Sequence, residues 1–251
     1  MFIDSHTHLL RLEISPEEAL EAAEAEVLAV VNIGTDVEDS QEGAKLAAAL
    51  PNVYSSAGIH PHNAGTYTAA HLEALAELSE SPGVVALGEV GLDYYRNDWS
   101  SDTQRALFED VISLANDTRL PLIIHSRAAF ADTMACLGNA RIPVILHCFE
   151  GGDREIREAT ERGYYVGLAG NVTYKNSETS KVLRLISEDK ILVETDAPYL
   201  SPQPLRGEKN QPQNVVHTAR FVSERLGLDE DEFATLTTRN ARNVFSLPLE
   251  V

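Results

Sequence analysis

The feature that most constrains this chain is an unbroken alternation. Short apolar runs rich in β-branched residues are each followed by a longer stretch with apolar residues three and four apart. The runs begin near Phe2, Val27, Val53, Val84, Pro121, Pro143, Tyr164 and Ile191, which predicts eight strands. Helical spacing fills 16–25, 37–50, 68–80, 102–118, 128–138, 152–162 and 178–188, and two further helices are predicted at roughly 212–226 and 230–240. Ser15-Pro16-Glu17-Glu18 marks one helix start, with a serine to cap it and a proline at the first helical position. Strand starts 21 to 37 residues apart match a closed (β/α)8 barrel better than an open doubly wound sheet. No Gly/Ser linker or Pro-rich hinge interrupts the pattern. Residues 1–251 are therefore expected to form one α/β domain, a TIM-type barrel with extra C-terminal helices.

Several classes fall away on composition. A chain 43% hydrophobic and 24% charged is neither disordered nor collagen-like. Its two cysteines, Cys136 and Cys148, follow no metal-ligand spacing and read as small core residues. Apolar runs such as Val27 to Val31 are far short of the roughly 20 residues needed to span a bilayer. Asp4 and His6 stand where a secretory signal has basic residues followed by an apolar stretch, so a cytoplasmic protein without a membrane partner is expected. The 39 acidic residues outnumber the 20 Lys and Arg, for a formal charge of -19. Such a surface repels nucleic acid and anionic membranes at long range, so an anionic substrate must be held locally. The acidic runs at 17–26 and 229–232 read as solvated helix faces.

A barrel of this type builds its active site at the C-terminal ends of its strands, so chemistry should appear where each apolar run stops. It does. Phe2-Ile3 runs into Asp4-Ser5-His6-Thr7-His8, the third strand into Gly58-Ile59-His60-Pro61-His62, and Val84 to Leu87 into Gly88-Glu89-Val90-Gly91-Leu92-Asp93. The later runs end in His125-Ser126-Arg127, His147-Cys148-Phe149 and Glu194-Thr195-Asp196. With a period of two, Asp4, His6 and His8 share one strand face, and the two imidazoles converge as a divalent metal requires. His-x-His alone is a weak signal. Together with His125, His147, Glu89 and Asp196 it makes a mixed nitrogen and oxygen ligand set suited to Zn²⁺, Mn²⁺ or similar ions, and large enough for two. Burying that many titratable groups without a metal would cost several kcal/mol unless each found another partner.

These segments, with Gly88 to Tyr95 and Glu194-Thr195-Asp196-Ala197-Pro198-Tyr199-Leu200 the most specific, resemble the TatD family of metal-dependent deoxyribonucleases within the metallo-dependent hydrolase superfamily. The resemblance extends from residue 2 to about residue 245. It implies a TIM-type barrel that hydrolyses DNA phosphodiesters with two divalent ions per chain, Mg²⁺, Mn²⁺ or Zn²⁺. The family's metal ligands fall on His6, His8, Glu89, His125, His147 and Asp196, each with the family residue type intact. The resemblance assigns His6, His8 and Asp196 to one ion, His125 and His147 to the other, and Glu89 to a bridge. Two ions roughly 3.5–4 Å apart can orient and acidify a water while neutralising phosphoryl and leaving oxygens. A singly coordinated Asp196 is then the best acceptor for the proton of the attacking water.

His60 is expected to contact phosphate or protonate the leaving group, with a supporting hydrogen-bond role as the equal alternative. Arg127 and Arg206 are candidate phosphate clamps, since guanidinium pairs with phosphate in a bidentate way, although Arg127 serves equally well as a structural ion pair. Arg206 lies in a segment, Arg206 to Pro212, that resembles the family's Arg-Gly…Asn-Glu-Pro stretch with Gln211 in place of the glutamate. His62, Asn63, Tyr174, Tyr94 and Tyr95 are candidates to line the strand ends, the last two equally to pack; aromatic stacking would serve a single-stranded end. His71 and His217 fall in helical stretches and read as surface or packing residues.

The leading expectation is an exonuclease acting on single-stranded or terminal DNA. The alternative is a metal-dependent ester or amide hydrolase, such as an aminoacyl-tRNA deacylase, and a noncatalytic metal-binding protein ranks last. Two carboxylates against four charges from two divalent ions leave about +2 at the site, which reconciles an anionic substrate with the acidic surface. More distant acids are attenuated over a Debye length of roughly 8 Å.

Overall fold

The computed structural model describes residues 1–96 and 98–249. Strands and helices alternate as expected: β1 (Phe2–Thr7), α1 (Pro16–Ala23), β2 (Val27–Asn32), α2 (Val37–Ala49), β3 (Val53–Ala57), α3 (Ala69–Ser79), β4 (Val84–Asp93), α4 (Ser101–Thr118), β5 (Leu122–Arg127), α5 (Phe130–Cys136), β6 (Val144–Leu146), α6 (Asp153–Glu161), β7 (Tyr165–Leu168), α7 (Thr179–Val182), β8 (Ile191–Val193), α8 (Val215–Leu226) and α9 (Glu230–Phe245). Eight parallel strands with interleaved helices make the fold the expected (β/α)8 type. Among the described residues no helix is long and apolar enough to cross a membrane.

The chain divides into two compact units. The first, Met1–Asn32 with His147–Val251, holds two parallel strand pairs, β1 with β2 and β7 with β8. The ends of β1 and β8 are tied directly, His8 N–H donating to Ala197 O at 2.8 Å and Asp196 N–H to His6 O at 2.9 Å. Ile3, Val30, Val31, Val166, Ile191 and Leu192 are fully buried there, with Phe233 of α9 and Val222 of α8 packed around them. The Asn240 amide of α9 donates to Glu188 O and Ile191 O at 2.7 and 2.9 Å, fixing the start of β8. At α1, Ser15 and Glu18 form the reciprocal cap expected of the Ser-Pro start.

The second unit, Ile33–Leu146, carries β3 to β6 in parallel register. Its core is Leu87, Val90, Leu92, Leu122 and Ile124 against Leu107, Phe108 and Val111 of α4. Strand β4 runs for 10 residues and its pairing with β5 slips between Leu87 and Val90. Gly88 sits at the slip with φ +126, and a side chain there would collide with Ile123 O. Only glycine takes that backbone cheaply, and the kink re-aims Glu89.

The helical expectations hold except over 178–188. There α7 covers only Thr179–Val182, followed by 3-10 turns at Leu183–Leu185 and Glu188–Lys190. Short polar side chains compete with the helix: Thr179 Oγ1 bonds the backbone of Phe149 and Gly151, Ser177 Oγ accepts from Ser180 N–H, and Ser187 Oγ donates to Asp189. Helix α9 runs the other way, five residues past the expected 240, because Ala241, Val244 and Phe245 find buried partners.

Candidate metal centre

In the first unit four side chains gather at the ends of β1 and β8 and just beyond β6. His6 and His8, two residues apart, aim Nε2 at the same Asp196 oxygen, Oδ1, at 3.6 and 3.3 Å. Both exceed the roughly 2.7–3.2 Å of an N–H···O hydrogen bond, so the groups face a common point more than they bond each other. The His147 ring stacks on His6 with centroids 3.8 Å apart. Donor atoms of His6, His147 and Asp196 lie within 4.8 Å of one another. All four residues are buried. Imidazole nitrogen with carboxylate oxygen, converging in a buried setting, is a donor set that fits a divalent transition ion. Asp196 itself has φ +54, a left-handed backbone that aspartate tolerates better than most residues.

Three buried groups hold this arrangement from behind. The Asp4 carboxylate accepts from Thr195 N–H at 2.9 Å and from Thr195 Oγ1 at 2.6 Å, pinning the residue before Asp196. Burial pushes its carboxyl up to about 8, against the opposing pull of the Thr195 hydrogen bonds. Glu194 is fully buried; its Oε1 accepts from Cys148 N–H at 2.5 Å and lies 3.3 Å from His147 Nδ1. Burial raises the Glu194 carboxyl, and the hydrogen bond with His147 works the other way. Room for it comes from Gly167, where any side chain would strike the Glu194 carboxylate. Asn210 donates to Thr195 O and Tyr199 O, both at 2.8 Å, and holds the loop after β8.

In the second unit β3, β4 and β5 end in a hydrogen-bonded chain. Glu89 Oε1 is 2.8 Å from His125 Nδ1 and 3.6 Å from His60 Nε2, and donor atoms of these three residues lie within 4.8 Å of one another. The other His125 nitrogen, Nε2, is 3.1 Å from Asp93 Oδ2, which also lies 3.1 Å from His62 Nε2. His62 N–H donates to His60 Nδ1 at 3.2 Å, so a neutral His60 ring carries its proton on Nε2, toward Glu89. Burial alone would raise the Asp93 carboxyl; the hydrogen bonds from His125, Arg96 N–H and His62 outweigh it and hold Asp93 well below the usual carboxylate range.

Arg127 ends β5 with its guanidinium 4.0 Å from the centroid of Tyr95, and Arg206 lies 4.0 Å from that of Tyr174. The Tyr174 hydroxyl donates to Ser201 O at 2.9 Å. The Asn63 amide donates to Thr35 O and so serves the loop after β2. His71 caps α3 by accepting from Thr68 N–H. His217 lies on α8. The sequence reading gave no role to Asp93, Glu194 or Asn210. Asp93 and Glu194 stand at strand ends beside candidate ligands, and that position was the available signal; nothing local marks Asn210.

A profile of the TatD related DNase family matches residues 3–246. The chain belongs to the TatD family. An uncharacterised metal-dependent hydrolase, YabD of Bacillus subtilis, is 35% identical over 254 residues, covering 98% of this chain and 100% of the relative. The 3'-5' ssDNA/RNA exonuclease TatD of Escherichia coli K12 is 34% identical over 235 residues, 90% of each chain. Among solved structures, the TatD homologue YjjV of E. coli K12 superposes with a TM-score of 0.90 at 27% identity, covering 98% of both chains. This TatD-family hydrolase thus carries His, Glu and Asp side chains placed to bind metal, in the family's TIM-barrel fold.

Proposed function

We propose that this TatD-family hydrolase is a two-metal deoxyribonuclease that cleaves phosphodiesters at single-stranded or terminal segments. The observation that carries the reading is the convergence of His6 and His8 on one Asp196 oxygen with His147 stacked alongside. The second donor set, around Glu89 and His125, supports a second ion. Divalent ions held by these residues would lower the pKa of a water and neutralise phosphoryl charge. Asp196 accepts the proton of the attacking water, since its Oδ1 is turned toward the donor cluster.

In the second unit, His60 carries its proton on Nε2 and is set to donate a hydrogen bond from it to a phosphate or leaving oxygen. His62 shares Asp93 with His125 and adds a polar contact for substrate. Arg127 and Arg206 engage phosphate, and the Tyr174 ring holds the Arg206 guanidinium. Binding through ions and a few arginines makes affinity depend on metal, and a charge of -19 disfavours extended contact with duplex. The relatives named as ssDNA/RNA exonucleases support the same substrate class.

The test is a parallel assay of metal-reconstituted protein on end-labelled single-stranded DNA, duplex DNA and aminoacyl-tRNA. Progressive shortening of the single strand, with duplex slower, is the expected result. Deacylation without strand cleavage would replace this reading with an ester hydrolase.

A further inference from the structure

The loop after β4 presents three aromatic side chains, and the second unit uses two of them. Tyr94 is half-buried and donates its hydroxyl to Asp132 at 2.8 Å. Trp99 donates its indole N–H to His62 O at 2.8 Å and packs its ring against Gly65, where any side chain would strike it. Tyr95 differs. It is 68% exposed, the most open large hydrophobic residue among those described, and its one described ring contact is the Arg127 guanidinium at 4.0 Å.

Arg127 brings a positive charge to that ring. Arg105, Arg157, Arg162 and Arg220 are each ion-paired with a carboxylate, whereas no carboxylate pairs with Arg127 among the described residues. Its other described tie is backbone: Tyr94 N–H donates to Arg127 O at 2.9 Å, and Asp93 and Arg127 are partners in the β4–β5 ladder.

The pair is held rigidly to the histidine cluster. One Asp93 oxygen, Oδ1, accepts from the backbone N–H groups of Tyr95 and Arg96 at 3.0 and 2.9 Å. The other, Oδ2, meets His125 and His62, both at 3.1 Å. A single buried carboxylate therefore fixes the backbone that carries an exposed aromatic ring relative to the side chains assigned to phosphodiester chemistry. An unpaired guanidinium covers one side of that ring. By contrast, the Tyr174 ring beside Arg206 is half-buried and its hydroxyl is committed to Ser201.

We propose that Tyr95, backed by Arg127, is a stacking ledge for an unpaired nucleobase of the strand being cleaved, with the guanidinium free to meet the adjoining phosphate. The inference rests on the nuclease reading and sharpens it: base stacking on an exposed ring selects for single strands, because bases in duplex are already stacked. Stacking on aromatic side chains also tolerates any base, so the ledge confers strand-state preference without sequence preference.

The test compares KM for a single-stranded oligonucleotide with KM for the same length carrying abasic sites at its terminal positions, in wild type, Tyr95→Ala and Tyr95→Phe, all metal-reconstituted. In wild type the abasic strand should have a KM at least about fivefold higher. Tyr95→Ala should raise KM for the base-bearing strand until that ratio falls to about one, while Tyr95→Phe, which keeps the ring, preserves it. A ratio unchanged in Tyr95→Ala, or a wild-type enzyme indifferent to missing bases, overturns the ledge and leaves the nuclease reading standing. A wild-type enzyme that cleaves neither strand overturns the nuclease reading itself. Because Tyr95 is exposed, its replacement should leave the fold unchanged by circular dichroism.

Discussion

The two donor clusters use the same residue types in opposite ways. In the first unit His6 and His8 face one carboxylate oxygen at distances too long for good hydrogen bonds, and the supporting carboxylates, Asp4 and Glu194, are buried behind, Glu194 bonded to His147. In the second unit the carboxylates are interleaved with the histidines, so both ring nitrogens of His125 already meet an acid, Glu89 at 2.8 Å and Asp93 at 3.1 Å. A cation entering the first cluster finds ligands already converged. One entering the second must displace a hydrogen bond and its proton. On the two-ion proposal, similar composition therefore predicts unequal affinity, with the first cluster tighter and the second weaker and more sensitive to pH.

That contrast can be broken most decisively at Asp196. Asp196→Ala should lose about 10²–10⁴-fold in kcat on single-stranded DNA. It should also lose the tighter ion, read by metal analysis after dialysis, with the fold intact by circular dichroism. Glu89→Gln should abolish most activity but remove only the weaker ion, and loss of the tight ion instead would reverse the assignment. A smaller effect is expected at Glu194. Glu194→Gln keeps the shape but weakens the charge behind His147, and metal affinity of the first cluster should fall about 10–100-fold. Unchanged affinity would reduce Glu194 to packing.

The smallest effect is on stability. Burial raises the Asp4 carboxyl from 3.8 to about 8 in the folded state. Its contribution is therefore fully present below pH 3.8 and is lost as pH rises through about 8. In metal-free protein, the Tm of wild type should fall relative to Asp4→Asn by several degrees across that window. A constant difference would place the ionisation of Asp4 elsewhere.

Much of this was legible in the sequence because strands have a period of two and barrel chemistry sits at strand ends. His6, His8, His125, His147, Glu89 and Asp196 were readable as candidate ligands from their strand-end positions together with the resemblance to the TatD family. What escaped was the direction of each carboxylate. Asp93 and Glu194 follow apolar runs just as Glu89 and Asp196 do, yet one ties a loop to two histidines and the other backs His147, a distinction made by the backbone kink at Gly88 and the space at Gly167. Tyr94 and Tyr95 looked equivalent in the sequence, and their burial and partners separate them. The broken helix after Thr179 was hidden because local bonds from Ser and Thr do not disturb the apolar spacing.

The most direct test of the central claim is hydrolysis of an end-labelled single-stranded oligonucleotide followed as divalent metal is titrated into metal-free protein. The account predicts no cleavage without metal, little with the first ion per chain, and a steep rise as the second binds. An oligonucleotide left intact with two ions bound would contradict it.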